Sequence, residues 1–249
     1  MIAGDVGKHS CFGEALQVRR MGQNESVRIL EKIGEGSFAE VYKAKWNGRL
    51  VAAKRLHPIL FRYDRGNENG VVARFLEESR LLRELRHPNI IELLDIITEE
   101  GKPPIMITEL LECDLAEVVE KSQSDPKVAT ENVLYITLDV SKGLEYLHGL
   151  KTPIIHRDIA PKNILVYGEK HAKIADVGLA KLSEGLFLSP VPGTQAYMAP
   201  ETYFSCNTRM KKYGTEIDIY SLGVTILEVI IGRPTKMLNN PLADEIGKK

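Results

Sequence analysis

Cysteine, excess charge and long apolar runs are all scarce in this chain, and each scarcity removes a class of protein. Its three cysteines, Cys11, Cys113 and Cys206, are far apart, odd in number and without paired metal-ligand spacing. Neither a disulfide framework nor a cysteine metal site is expected, and a reducing, cytoplasmic setting is. A formal net charge of -1 gives no electrostatic reason for nucleic acid or an anionic membrane as partner. The most apolar stretch, from Thr215 to Ile231, is too short to span a bilayer. The first residues, MIAGDVGKHSCFGEAL, hold no apolar core of signal-peptide length, so secretion is not expected. Internal repeats and low-complexity tracts are missing as well. What remains is an ordinary globular composition, 43% hydrophobic and 27% charged over 249 residues, enough for one large domain or two packed lobes.

Residues 1–27 are polar and without periodicity and read as an irregular extension. Within them Met21-Gly22-Gln23-Asn24-Glu25-Ser26 fits the N-myristoylation pattern, but as an internal hexapeptide it is read as chance. From Arg28 short strands alternate with glycines: Val27 to Ile33, Ala39 to Trp46 and Leu50 to Leu56, broken at Gly34-Glu35-Gly36 and Asn47-Gly48. A polar loop ending at Asn69-Gly70 leads to a helix with Phe75, Leu82 and Leu85 on one face, then to strands near Leu93 to Thr98 and Ile105 to Leu110. The second half is mostly helical. Val133, Ile136, Val140, Leu144 and Leu147 mark a long amphipathic helix behind Thr130 as N-cap. The segment Thr215 to Ile231 is apolar on nearly every side, which argues burial. The class is α+β, a strand-rich part joined by a linker at 109–114 to a helical part.

The chemistry lies in a few spaced groups. Gly34 and Gly36 sit in a strand-to-strand turn, where missing Cβ atoms let backbone amides approach phosphate oxygens; a plain hairpin turn remains the alternative. Lys54 follows Val51-Ala52-Ala53 on a strand. Glu78 falls on the apolar stripe of the next helix, where an unpaired carboxylate is costly and Lys54 is the natural cation. His156-Arg157-Asp158 and Asn163 follow the long helix, and Asp176-Val177-Gly178 opens the next loop. Oxygen ligands from two loops, Asn163 and Asp176, suit Mg²⁺, which completes its shell with waters and phosphates. Each alone reads as a solvated Asx residue; in this order and spacing they read as phosphoryl-transfer machinery.

These elements, with His87-Pro88-Asn89, Ala199-Pro200-Glu201 and Asp218, make residues 28 to about 235 resemble a eukaryotic protein kinase domain. The resemblance implies a two-lobed kinase-like fold: a five-stranded antiparallel sheet plus one helix at 28–108, a hinge at 109–114, and a mostly helical lobe at 115–249, incomplete at its C-terminal end. It implies ATP and Mg²⁺ as cofactors and protein hydroxyls as substrates. Lys54 would hold the α- and β-phosphates, Glu78 would hold Lys54, Asp158 would accept the hydroxyl proton, and Asn163 and Asp176 would bind the metal. Ile33, Val41, Ala52 and Leu165 would sandwich adenine, with Thr108 as gatekeeper and backbone groups of Glu109 to Leu111 hydrogen-bonding the base. A stack of Leu82, Leu93, His156 and Val177, rooted on Asp218, would join the lobes; a helix-cap partnership with Thr215 is the other reading of Asp218, and both can be true together.

Gly193-Thr194-Gln195-Ala196-Tyr197-Met198 resembles the substrate loop of Ser/Thr kinases, whereas Ala160 stands where those enzymes usually carry lysine. Lys162 stands where many tyrosine kinases carry arginine, a candidate to neutralise the transferring phosphate. Trp46-Asn47-Gly48 resembles the tyrosine-kinase-like branch of Ser/Thr kinases, and Ser/Thr specificity is expected. Arg157 is expected to engage a phosphate on Ser189, or less readily Ser183. Ala39 replaces the third glycine and Val177 the common phenylalanine. A kinase lobe continues beyond the Thr215 helix, so a partner or missing segment is expected over the apolar surface left there. A nucleotide-binding or protein-interaction scaffold without turnover is the competing expectation, and a small-molecule phosphotransferase a third.

Overall fold

The computed structural model describes residues 27–64, 70–122, 126–168, 170–177, 181–182, 194–203 and 213–232. The Gly22 motif, Cys11, Cys206, Gly178, Ser183, Ser189 and Gly193 lie outside the described residues.

Strands β1 (Arg28–Glu35), β2 (Ala39–Trp46) and β3 (Arg49–Leu56) form two hairpins. The turn between β2 and β3 is Asn47-Gly48, both with positive φ (48° and 79°), the left-handed pair that a two-residue turn between right-twisted strands requires. With β4 (Leu93–Ile97) and β5 (Ile105–Glu109) they make one antiparallel sheet in the order β1-β2-β3-β5-β4. Helix α1 (Pro58–Asp64) occupies part of the stretch read as a polar loop, with proline at its first position, where the missing N–H is harmless. Helix α2 (Val71–Glu84) buries Phe75, Ser79 and Leu82.

Past the linker come β6 (Cys113–Asp114), α3 (Leu115–Ser122) and α4 (Pro126–His148). The long helix therefore starts four residues before the expected cap Thr130, at a proline suited to a first turn. Short strands β7 (Ile154–Ile155), β8 (Ile164–Tyr167), β9 (His171–Ile174) and β10 (Lys181–Leu182) follow, with β6-β8-β9 as one sheet and β7 paired to β10. Helices α5 (Pro200–Tyr203) and α6 (Glu216–Ile231) complete the described chain. Gly232, in the left-handed region at φ 67°, ends α6 by donating to the Glu228 carbonyl.

The core runs through both halves. Phe75, Leu82 and Leu93 belong to the same buried cluster as Val140, Leu144, Ile164 and Val177, while His156 is fully buried. Helix α4 lies against β9 so closely that Gly143 is obligatory: an added Cβ would sit 2.8 Å from Ile174 Cδ1 and 2.9 Å from the Asn89 carbonyl. Val133, Ile136 and Val140 of α4 face Leu222, Ile226 and Val229 of α6. The burial expected for α6 holds on that side only, since Ile219, Leu227 and Ile230 are each about half exposed.

Candidate active site

Sheet register places the strand-borne candidates side by side. Gly34 pairs with Val41, Val41 with Lys54, and Ala52 with Thr108, so one face runs from the glycine turn to the start of the linker. Leu165 reaches the linker through β8, where it pairs with Asp114. Ile33 is half exposed, and Leu111 packs at the edge of the main core. Within these segments Glu109 N–H donates to the Glu92 carbonyl and Gly36 N–H to the Ala39 carbonyl.

Lys54 is the meeting point of the two halves. Its Nζ donates to Glu78 Oε1 at 2.7 Å and Asp176 Oδ1 at 2.9 Å. Burial opposes the lysine charge, but the two carboxylates outweigh it and its pKa is raised. Burial pushes the Glu78 carboxyl up, against the pull of Lys54.

Across the cleft, both oxygens of Asp158 are engaged. Oδ1 accepts the Thr194 backbone N–H and hydroxyl, each at 2.9 Å, while Oδ2 accepts Asn163 Nδ2 at 2.8 Å and lies 3.3 Å from Lys162 Nζ. Asn163 sits in a single 3₁₀ turn, Pro161–Asn163, and its Nδ2 also donates to the Asp158 carbonyl at 2.7 Å, leaving Oδ1 as the oxygen it can offer a cation. The Ala175 N–H donates to the Asn163 carbonyl, which sets Asp176 on the neighbouring loop. Arg157 and Asp176 take left-handed φ values of 72° and 59°, uncommon for residues with side chains.

The loop is pinned from below by Asp218, which is fully buried. Its carboxylate accepts the backbone N–H groups of His156 and Arg157 and lies within bonding distance of His148 Nε2, all at 2.8 Å. Thr215 makes no side-chain cap bond, so of the two readings of Asp218 the long-range one describes its contacts.

Sequence reasoning missed several supports. His148 ends α4 beneath Asp218. Lys173 donates to Glu109 Oε1 at 2.6 Å, tying β9 to the linker, and the same oxygen accepts the Glu92 N–H. Tyr197 OH donates to Glu228 Oε2 at 2.5 Å, inside the protein. Glu228 did carry a signal, since a carboxylate in an apolar helix needs a buried partner.

The oxygen donors of Asn163 and Asp176 fit a hard cation such as Mg²⁺. Among the described residues no cluster of three or more His, Cys, Asp or Glu side chains could hold a metal alone, so such an ion would depend on water and phosphate for the rest of its shell.

A cleft between a five-stranded sheet and a helical lobe, with a lysine held by a helix carboxylate on one side and an aspartate-asparagine loop on the other, defines a phosphotransferase class. A family model of the protein kinase domain matches residues 27–245, and the chain belongs to the protein kinase family. It is similar to serine/threonine-protein kinase VIK of Arabidopsis thaliana, 36% identical over 212 residues that cover 81% of this chain and 45% of the relative. Serine/threonine-protein kinase CTR1 of the same plant is 35% identical over 205 residues, 82% of this chain and 24% of the relative. Receptor protein kinase WSS1 of Oryza sativa subsp. japonica is 35% identical over 246 residues, 90% of this chain and 25% of the relative. The chain thus spans less than half the length of these relatives. Among the described residues no helix is long and apolar enough to cross a membrane.

Proposed function

We propose that the chain is a serine/threonine protein kinase domain that transfers the ATP γ-phosphate to protein hydroxyls, with an N-lobe at 28–108, a hinge at 109–114 and a C-lobe from 115. The observation that carries the reading is Lys54 held between Glu78 and Asp176 at 2.7 and 2.9 Å, opposite an Asp158 already bonded to Asn163. Lys54 binds the α- and β-phosphates as an ammonium whose charge the site reinforces. Asp158 orients the substrate hydroxyl and takes its proton. Asn163 and Asp176 hold Mg²⁺, which when bound neutralises phosphate charge. Lys162, its side chain half exposed and its Nζ 3.3 Å from Asp158 Oδ2, supplies the cation that Ala160 cannot. Ser/Thr specificity is supported by the double contact of Thr194 with Asp158, which ties the substrate loop to the catalytic carboxylate, and by the names of the two similar Arabidopsis kinases.

A nucleotide-binding or scaffold module without turnover is the second reading. The apolar side chains that α6 leaves half exposed favour it, as a surface for a partner or a further segment. Radiolabel transfer from ATP·Mg²⁺ to a generic protein substrate separates the two, run beside Asp158→Asn. Loss of the base should cost at least three powers of ten, about 4 kcal/mol of transition-state stabilisation. Equal label in both proteins would refute turnover at this site, and label recovered as phosphotyrosine would refute the specificity.

A further inference from the structure

The sheet face opposite Val41, Ala52 and Lys54 carries a connected set of side chains that the proposed reaction does not use. Alternation along β2 and β3 puts Glu40, Tyr42 and Arg55 on this face, with Lys32 opposite Tyr42 on β1. The Glu40 carboxylate accepts Arg55 NH2 at 3.0 Å, the Tyr42 hydroxyl at 2.8 Å and Lys32 Nζ at 3.1 Å. Arg55 also donates to the Tyr42 hydroxyl at 2.7 Å with its guanidinium over that ring, and Lys32 reaches on to Glu35 at 2.7 Å. Arg55, Tyr42 and Lys32 together hold the Glu40 carboxyl down at about 2. Two positive and two negative charges balance here, so the set offers a ligand no net charge.

Its position is informative. Glu35 and Glu40 are the cross-strand pair at which the loop 36–38 leaves the sheet. On the other flank His57, between β3 and α1, grips the loop twice: its backbone N–H donates to the Phe38 carbonyl at 3.0 Å, and its Nε2, in the Nε2–H tautomer, donates to the Gly36 carbonyl at 3.0 Å. In a trans peptide the carbonyl and the next N–H point to opposite sides. Anchoring the carbonyls of Gly36 and Phe38 on His57 therefore turns the N–H groups of Ser37 and Ala39 away from it, presented in a fixed orientation.

We propose that Glu40 and His57 are positioning residues that shape the 36–38 loop to receive the phosphates of a nucleotide without touching it. The proposal rests on the nucleotide-binding reading above and adds a second contribution to phosphate affinity beside that of Lys54. Titration of the whole chain with ATP·Mg²⁺ and, separately, with adenosine tests it. His57→Ala should weaken ATP·Mg²⁺ about fivefold, the worth of one net hydrogen bond, and leave adenosine within about twofold. Glu40→Ala should do the same. His57→Gln, which keeps a side-chain donor, should recover most of the loss, and a thermal melt of each variant establishes that it is folded. Unchanged ATP·Mg²⁺ binding in both alanine variants, or equal losses for ATP·Mg²⁺ and adenosine, overturns the proposal while the nucleotide reading stands. A wild-type chain that binds neither ligand overturns both.

Discussion

Asp218→Asn removes one charge and changes no shape, and its cost can be worked from the contacts of a single carboxylate. Asp218 lies fully buried and takes two backbone N–H groups, those of His156 and Arg157, one on each oxygen. An asparagine keeps one oxygen and puts an NH₂ group where the other was. In either orientation one backbone N–H then faces a donor. Leaving a buried N–H unmet costs about 1–3 kcal/mol. The surviving bond falls from charge-assisted to neutral, about half its strength, for roughly 1 kcal/mol more. The sum, about 2–4 kcal/mol, is a large share of the 5–15 kcal/mol typical of a folded domain. Arg157 adds a second reason for sensitivity, because its left-handed φ of 72° is held by the N–H bond under attack. Urea unfolding reads the effect: with a slope of about 2–3 kcal/mol per M, the midpoint should fall by about 1 M. Amide hydrogen exchange at residues 156 and 157 should accelerate in step. A midpoint within about 0.2 M of wild type, with both amides still protected, would refute the reasoning.

Three further outcomes are expected. Gly143→Ala drives a methyl into Ile174 and the Asn89 carbonyl and should destabilise by about 1–3 kcal/mol, whereas Gly223→Ala in α6, with nothing within 4 Å of the new Cβ, should stabilise by about 0.5–1 kcal/mol; opposite shifts in melting temperature check the pair. Tyr197→Phe keeps the ring but removes the bond to buried Glu228, and chemical denaturation should show a loss of about 1.5–3 kcal/mol. Glu40, whose carboxyl is depressed from 4.5 to about 2 by Arg55, Tyr42 and Lys32, is bound more tightly as an anion in the folded state. Its contribution is present above pH 4.5 and is lost as pH falls toward 2. The stability difference between wild type and Glu40→Gln should therefore shrink over that interval, and a difference that stays constant contradicts the assignment.

Local chemistry was legible in the sequence and distant pairing was not. Glu78 on an apolar stripe announced its need for Lys54, because the cost of an unpaired carboxylate is a property of one helix face. Asn47-Gly48 announced its turn, because few residues accept positive φ twice running. Helix α1 escaped because seven residues are too few to establish a 3.6-residue period, and its proline reads equally well as a loop marker. The start of α4 was misplaced for a related reason, since Thr130 looks like a cap wherever it falls. Asp218 was readable two ways: one partner lay three residues away and the others more than sixty. Only the packing of α6 beneath the 156–163 loop reveals the distant ones, and no local pattern encodes that. The tie between Lys173 and Glu109 was invisible for the same reason, as two surface-type charges 64 positions apart.

The tether between His156 and Asp218 spans 62 positions of chain. A ribosome adding about 5–20 residues per second makes the loop about 3–12 s before it makes the residue that shapes it. Through that interval the nascent chain carries Asp158 and Asn163 with no anchor beneath them. The loop therefore gains its Asp218 tether only once α6 is synthesised and docks, and any delay in that docking prolongs an interval in which the His156 and Arg157 amides lack their carboxylate partner.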